Sequence, residues 1–487
     1  MNSKLKLQVC AEPQPLYEFH CRHSLAILLA ITFLGAVIRF LNLGNFGFEG
    51  DEVFTLQKVV GPITNERNWP LLFLLSKPIV WLLGVSEFSL RLLPAMLGVL
   101  SIPAFFYAGR KVYGELPMLL TGLFIALNHW HVYHSQTARF YSAVFLFSGL
   151  AILLLHTSLY TAKGWTSFLA GLCIIIGVGF HPTAIWPAII FSIYCLTSIV
   201  VPSIRNSLPI RVIVGFYLPL IIVGIIAIGM AGDVLPTIRR FSEAKVSSWG
   251  YSGSHVILGW MRGLEIPVLI LGACGLFSMY FKHRAIAYLT LLYALIPIGM
   301  LAAISGFMAL RQDYVFSVTP VWFILAGSVA GTVLSSTSTP ALARYGVILA
   351  IYLSFLPSTI SHHTAKSTGD NRLAFMYLKQ IANSHDTILH NFVTGIDYYT
   401  GLQSEHIKMN KEYFLKKFKD IESSGKTTWF VLISSRYGVG NEFLENWLAH
   451  NAFLEKRFDA KRFDYEVKSI LIYKFVPNAT KMFYSNQ

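Results

Sequence analysis

Between residues 24 and 360 the chain is a succession of apolar runs separated by short polar breaks. A helix needs about 20 residues to cross the bilayer core. By that length, spans are expected at 24–42, 88–109, 116–129, 140–160, 166–180, 183–201, 212–231, 264–281, 286–304, 314–334 and 345–360, about eleven in all. A polar, proline-bearing leader precedes the first run and no small-residue cleavage site follows it, so that run is expected to stay in place. The segment 43–87 is longer than a connector, and its patch "WPLLFLLSKPIVWLLG" is too interrupted to span and reads as helices lying in the interface. A second long segment, 232–263, mixes Gly, Ser and basic residues and is expected to be a mobile loop, suited to a lid.

After residue 360 the pattern changes. "RLAFMYLKQIA" and "KEYFLKKFKDIE" have helical spacing, "DTILH" and "TTWFVLISS" read as strands, and "FDYEVKSILIYKF" alternates like a terminal strand. The expected fold is a polytopic α-helical membrane protein of about eleven transmembrane helices with a small C-terminal extracytoplasmic α/β domain. Its parts are a cytoplasmic leader at 1–23, a membrane domain at 24–360 and the appended domain at 361–487. "SSTSTP" at 335–340 fits a cytoplasmic linker, and no repeat of solenoid type is present.

Composition agrees: 54% of the 487 residues are hydrophobic and 13% charged, far from the soluble norm. Lys4, Lys6, Arg22, Arg110, Lys111, Lys163, Arg205, Arg211, Lys282, Arg284 and Arg344 all fall on one side of the expected spans. By the positive-inside bias that side is cytoplasmic, which puts segment 43–87 and the C-terminal domain outside. Much of the net charge of +14 is therefore topogenic, and no clustered basic face calls for nucleic acid. Cys10 and Cys21 lie in the leader and Cys173, Cys195 and Cys274 in expected spans, so the thiols read as buried and structural rather than as a disulfide framework.

Ionisable groups near spans are costly and point to function. The first apolar run is followed at once by "NFGFEGDEVFTL", with Glu49, Asp51 and Glu52 together. Cations on the same outer face are Arg39 at the end of the first span, Arg139 at the start of the fourth, Arg239 and Arg240 in the long loop, and Arg311 before the tenth. For the arginines the plain alternative is snorkelling toward headgroups. For Asp51 and Glu52 it is a helix start, which would also aim the pair rigidly. "HWHVYH" offers His129, His131 and His134, but the spacing matches no standard zinc pattern. His181 ends the fifth span, either meeting a phosphate or closing the helix before Pro182.

These stretches, taken in order, resemble the GT-C membrane glycosyltransferases, in the branch of the protein O-mannosyltransferases and the lipid A aminoarabinose transferase. The resemblance runs through "RFLNLGNFGFEGDEVFTL", "NWPLLFLL", "SEFSLRLLPAMLGVLSIPAFFYAGRKVYG", "YHSQTARFYSAVFLF" and "RQDYVFSVTPVWFILAG", covering most of residues 30–330 and, weakly, the C-terminal domain. "NWPLL" departs from the family's His-Pro-Pro stretch. The resemblance implies transfer of a sugar from a polyprenyl-phosphate carrier, on the exported face, to a glycolipid, polysaccharide or protein acceptor. Asp51 would then be the general base, Glu52 would orient the acceptor or shape the field at Asp51, and Glu49 is a weaker candidate.

Arg139 and Arg311 would stabilise charge on the leaving phosphate, with Tyr141, Lys77, Arg239, Arg240 and His181 as further substrate contacts. No cofactor is expected, and transfer without a metal is favoured over assistance by a divalent ion. The bacterial inner membrane is the expected location, with the N-terminus cytoplasmic, since no retrieval signal points to the endoplasmic reticulum. A transporter or lipid flippase and a non-catalytic subunit of envelope polysaccharide assembly are the rival classes. Charges gathered at one face and the absence of related halves weigh against the transporter.

Overall fold

The computed structural model describes residues 23–61, 70–230, 253–305, 312–364, 370–391, 395–407, 411–435, 442–459 and 468–477. The first apolar run forms α1 (Ser24–Phe40). The segment after it folds into α2 (Gly50–Val60) and α3 (Pro70–Leu83), and α4 (Glu87–Tyr113) follows. Among the described residues six helical stretches are long and apolar enough to cross a membrane: α4, Tyr141–Thr161, Pro182–Val200, Arg284–Ile304, Gln312–Ser335 and Ala341–Thr364. A seventh is added if Gly253–Leu264 and Ile266–Lys282, bent by 93°, count as one span. The chain is thus a multi-pass membrane protein.

The runs at 24–42, 116–129 and 166–180 form the shorter helices α1, Glu115–Leu127 and Gly164–Phe180, and the run at 212–231 forms the 21-residue helix Ile210–Met230. At ~1.5 Å per residue, the 17 residues of α1 rise about 26 Å, a few Å less than a typical hydrocarbon core of ~30 Å. Residues 231–252 lie outside the described part, so the expected lid is seen only from Gly253 onward. That end is helical and buries Val256, Gly259, Trp260 and Gly263, because "VILGWM" places its apolar groups at helical spacing despite the neighbouring Ser and Arg. The bend follows from Glu265 at φ +67°, a left-handed conformation, with Pro267 opening the next helix.

By contacts the described chain divides into two compact units. The first comprises residues up to 38 with 96–134 and 140–356. Its helices approach through small residues, as membrane helices do: a Cβ on Gly171 would meet the Phe216 carbonyl at 2.6 Å, and one on Gly149 would fall 2.0 Å from the Phe105 ring. That ring in turn stacks on Phe145 at 5.4 Å. Some buried polar groups inside this unit pair between helices. Thr290 donates to the Ile286 carbonyl at 2.7 Å and so accepts from His156 Nε2 at 3.2 Å, leaving Nδ1 to accept from the Tyr113 hydroxyl at 2.7 Å.

The second unit joins 39–95 and 135–139 to the chain from 357 onward. Its sheet has the order β2-β1-β3-β5-β4, from β1 (Thr387–His390), β2 (Glu405–His406), β3 (Thr428–Ser435), β4 (Phe453–Phe458) and β5 (Lys468–Phe475). β1 is parallel to β2 and β3, while β5 runs antiparallel to β3 and β4, with Phe430 opposite Tyr473 and Leu432 opposite Leu471. Phe430, Leu432 and Leu471 pack with Phe414 and Ile421 of helix Lys411–Ser424 and with Leu444 and Leu448 of helix Glu442–Asn451. Burial of this apolar face drives the domain together. β4 is one exposed edge, charged at Glu455, Lys456 and Arg457 and irregular between Leu454 and Lys456.

Gly149→Ala is expected to cost about 1–3 kcal/mol by forcing the Phe105 ring aside. Thermal unfolding in detergent checks this, and adding Phe105→Leu should return most of the loss.

Candidate active site

The carboxylate-rich stretch begins α2. Its buried face carries Glu52, Val53, Thr55, Leu56 and Val59, a helical spacing that turns Glu52 inward. Asp51, one residue earlier and so about 100° around the helix, points to the open side; its side chain is 50% exposed, against 2% for Glu52. Two adjacent carboxylates are thereby sorted by helical phase alone.

Glu52 is held by Arg91, four residues into α4. Arg91 Nε donates to Glu52 Oε1 at 2.8 Å and a terminal nitrogen to Oε2 at 2.7 Å, a paired geometry well suited to guanidinium. The remaining N–H groups donate to the carbonyls of Leu43 (3.2 Å), Phe46 (2.8 Å) and Gly47 (3.0 Å). Each of the five N–H groups thus has an acceptor. Glu52 also accepts from Ala138 N–H at 2.7 Å and, reaching back across the helix start, from Glu49 N–H at 2.9 Å. A buried pair repays its desolvation only with such complete hydrogen bonding.

The segment 135–139 is fixed by the same logic. Gln136 Nε2 donates to the carbonyls of Arg39 (2.9 Å) and Leu41 (2.8 Å), leaving Oε1 to accept from His362 Nε2 at 2.9 Å. The buried Arg39 donates through Nε to Ser135 Oγ at 3.3 Å. With its flanks pinned, Arg139 lies beside the start of α2. One terminal nitrogen reaches the Asp51 carbonyl at 3.3 Å and Thr55 Oγ1 at 3.5 Å, and the other stands 4.0 Å from Asp51 Oδ2. An exposed carboxylate and a largely covered guanidinium therefore share one edge of this unit. Asp51 also sits in the first helical turn, where the helix dipole favours a negative charge.

Lys77 of α3 donates to the carbonyls of Val59 (3.0 Å) and Gly61 (2.7 Å), closing the C-terminal end of α2. Tyr141 and His181 belong to the other unit. There the His181 ring stacks on Phe140 at 3.9 Å and lies 6.4 Å from Tyr141, while Nδ1 accepts from Thr183 N–H and so starts the turn Pro182–Ile185. The three imidazoles of "HWHVYH" have different polar neighbours: His129 pairs with Glu265 at 2.6 Å, His131 lies 3.5 Å from Ser101 Oγ, and His134 stands 3.6 Å from Asp313. Arg239, Arg240 and Arg311 lie outside the described residues.

Arg91 was not singled out from the sequence, although a cation at the outer end of an expected span is the same signal that marked Arg39 and Arg139. Glu87, which accepts from Tyr399, was missed for want of any local motif.

No protein-family model matches the sequence, and no curated protein matches it. Solved structures do match its fold. ArnT from Cupriavidus metallidurans, in a crystal structure bound to undecaprenyl phosphate, is similar at a TM-score of 0.59 and 12% identity, over 93% of this chain and 98% of that one. The archaeal oligosaccharyltransferase AglB from Archaeoglobus fulgidus, in complex with an inhibitory peptide and a dolichol-phosphate, is similar at 0.53 and 11%, over 85% of this chain and 69% of that one. The chain thus shares the overall fold of these two structures.

Replacing Arg91 with Met leaves Glu52 buried without its cation, and a loss of about 3–5 kcal/mol is expected. Thermal and denaturant unfolding of the solubilised protein measure it. The double variant Arg91→Met/Glu52→Gln should recover part of the loss, since no uncompensated charge then remains.

Proposed function

We propose that the protein is a membrane glycosyltransferase that moves a sugar from a polyprenyl-phosphate carrier to a glycolipid, polysaccharide or protein acceptor on the extracytoplasmic face. The observation that carries this is the exposed Asp51 carboxylate, set on a rigidly anchored helix start with the Arg139 guanidinium 4.0 Å away. The GT-C fold supports it, because the similar ArnT structure contains undecaprenyl phosphate and the AglB structure a dolichol-phosphate.

In a single inverting displacement the acceptor oxygen or nitrogen attacks the anomeric carbon while the bond to the phosphate oxygen breaks, its electron pair leaving with the phosphate. Asp51 takes the acceptor's proton, a role typically worth 10²- to 10⁴-fold in rate. Phosphate is a stable anion at neutral pH, so the leaving group needs no proton. Arg139 stabilises the charge that builds on its oxygens. Glu52 holds Asp51 in place through the contacts to Arg91, Ala138 and Glu49. The reaction requires no metal in this scheme, since guanidinium supplies the electrostatic stabilisation.

The test is incubation of the purified protein with undecaprenyl phosphate carrying labelled mannose, glucose or aminoarabinose, with and without envelope lipid extract. Transfer or slow hydrolysis supports the reading; movement of the labelled lipid across a vesicle membrane without bond breakage would sink it. Asp51→Asn should lower turnover at least 10²-fold with unchanged melting temperature, and a fully active Asn variant removes the base assignment. Arg139→Ala should raise the donor KM more than the acceptor KM. Dialysis against a chelator should leave the rate unchanged, and a rate restored only by a divalent ion contradicts the metal-free scheme.

A further inference from the structure

The strand of chain that delivers Asp51 is gripped a second time, by residues more than 300 positions downstream. Asp370 Oδ1 accepts from Gly47 N–H at 3.2 Å and from Arg372 N–H at 2.9 Å. Asn371 Nδ2 donates to the Phe48 carbonyl at 2.6 Å, and Arg372 donates to the carbonyls of Gly44 (3.3 Å) and Asn45. The Tyr399 hydroxyl accepts from Phe48 N–H at 2.7 Å and donates to Glu87 Oε1 at 2.8 Å, and that carboxylate stands 3.7 Å from Arg372.

Between these groups the Phe48 ring is fully buried against Tyr398 and Tyr399, at 5.5 and 6.3 Å. The N–H groups of Gly47 and Phe48 and the carbonyls of Gly44, Asn45 and Phe48 are thus taken by the C-terminal part of the chain, while Arg91 takes the carbonyls of Leu43, Phe46 and Gly47. The approach is close enough that a Cβ on Gly47 would lie 2.6 Å from the Arg372 nitrogen. Two residues beyond Phe48 α2 begins, and Asp51 lies in its first turn.

We infer that Asp370, Asn371, Arg372 and Tyr399 are positioning residues for Asp51, acting through Phe48, so that the C-terminal domain sets the register of the catalytic carboxylate. This rests on the glycosyl-transfer reading for its consequence in rate, though not for the clasp itself. The physical basis is that misplacement of a reacting group by about 1 Å can cost 10²-fold. A clasp built on backbone hydrogen bonds transmits a shift rather than absorbing it, because the Phe48 N–H and carbonyl, freed from Tyr399 and Asn371, are left buried and unsatisfied.

The experiment uses the full chain in lipid nanodiscs. Tyr399→Phe keeps the ring but loses the acceptor for Phe48 N–H and the donor to Glu87, and Gly47→Ala wedges the two segments apart. Lys417→Ala, which removes an ion pair with Glu405 elsewhere in the same domain, is the control. Hydrogen–deuterium exchange over 43–50 should rise in Tyr399→Phe and Gly47→Ala and stay unchanged in Lys417→Ala. With the fastest labelled undecaprenyl-phosphate sugar of the panel above, kcat should fall at least tenfold while the donor KM changes less than twofold.

Unchanged exchange in both variants overturns the clasp whatever the activity. Raised exchange with unaltered kcat overturns the positioning role. A wild-type protein that turns over no sugar of the panel counts against the glycosyl-transfer reading alone, and the exchange result still decides the clasp.

Discussion

The buried pairing of Glu52 with Arg91 is the interaction on which the candidate site depends. Each partner is almost wholly out of water, and such a pair is tolerable only when every polar atom is matched. Matching is what organises the site: to satisfy one guanidinium the chain brings together the carbonyls of Leu43, Phe46 and Gly47, and to satisfy one carboxylate it brings in the amides of Ala138 and Glu49. Those amides belong to the two segments that carry Arg139 and Asp51. The pairing therefore converts desolvation cost into geometric constraint, with the exposed groups held by buried ones.

Much of the architecture was legible in the sequence, because membrane helices announce themselves by apolar length. Each expected run is helical, including the short one at Glu115–Leu127, although among the described residues six or seven stretches, not eleven, are long and apolar enough to span. "DTILH" and "TTWFVLISS" became β1 and β3, and the terminal alternating run became β5. β2 and β4 were not foreseen. β2 is two residues long, and β4, with the sequence Phe453–Phe458, carries charge at three consecutive positions and so shows no apolar alternation. The helix over Gly253–Leu264 was obscured by the glycines, serine and arginine that share its surface with apolar groups.

The site was legible in part, and the division has a physical cause. Asp51 and Arg139 stood out because a carboxylate and a cation beside spans are expensive, and the structure does bring them together. What the sequence could not express is which of two neighbouring carboxylates faces inward, since that depends on where α2 begins: a start one residue later would change the phase. The contributions of Arg91, Asn371 and Tyr399 include long-range hydrogen bonds to backbone, and that of Glu87 is a long-range bond to the Tyr399 hydroxyl; none leaves a periodicity or a motif behind. The backbone carbonyls of Leu43, Phe46 and Gly47 are acceptors that any residue would provide.

The hydrogen bonds between 44–48 and the region of Asp370 and Tyr399 also bear on modular exchange. A chimera that keeps the membrane part of one such protein and takes the appended domain of another would confront a Phe48 segment with foreign partners. The two stretches, remote in the gene, form one inheritable unit. Grafting either without its counterpart breaks contacts that lie within three residues of the exposed aspartate.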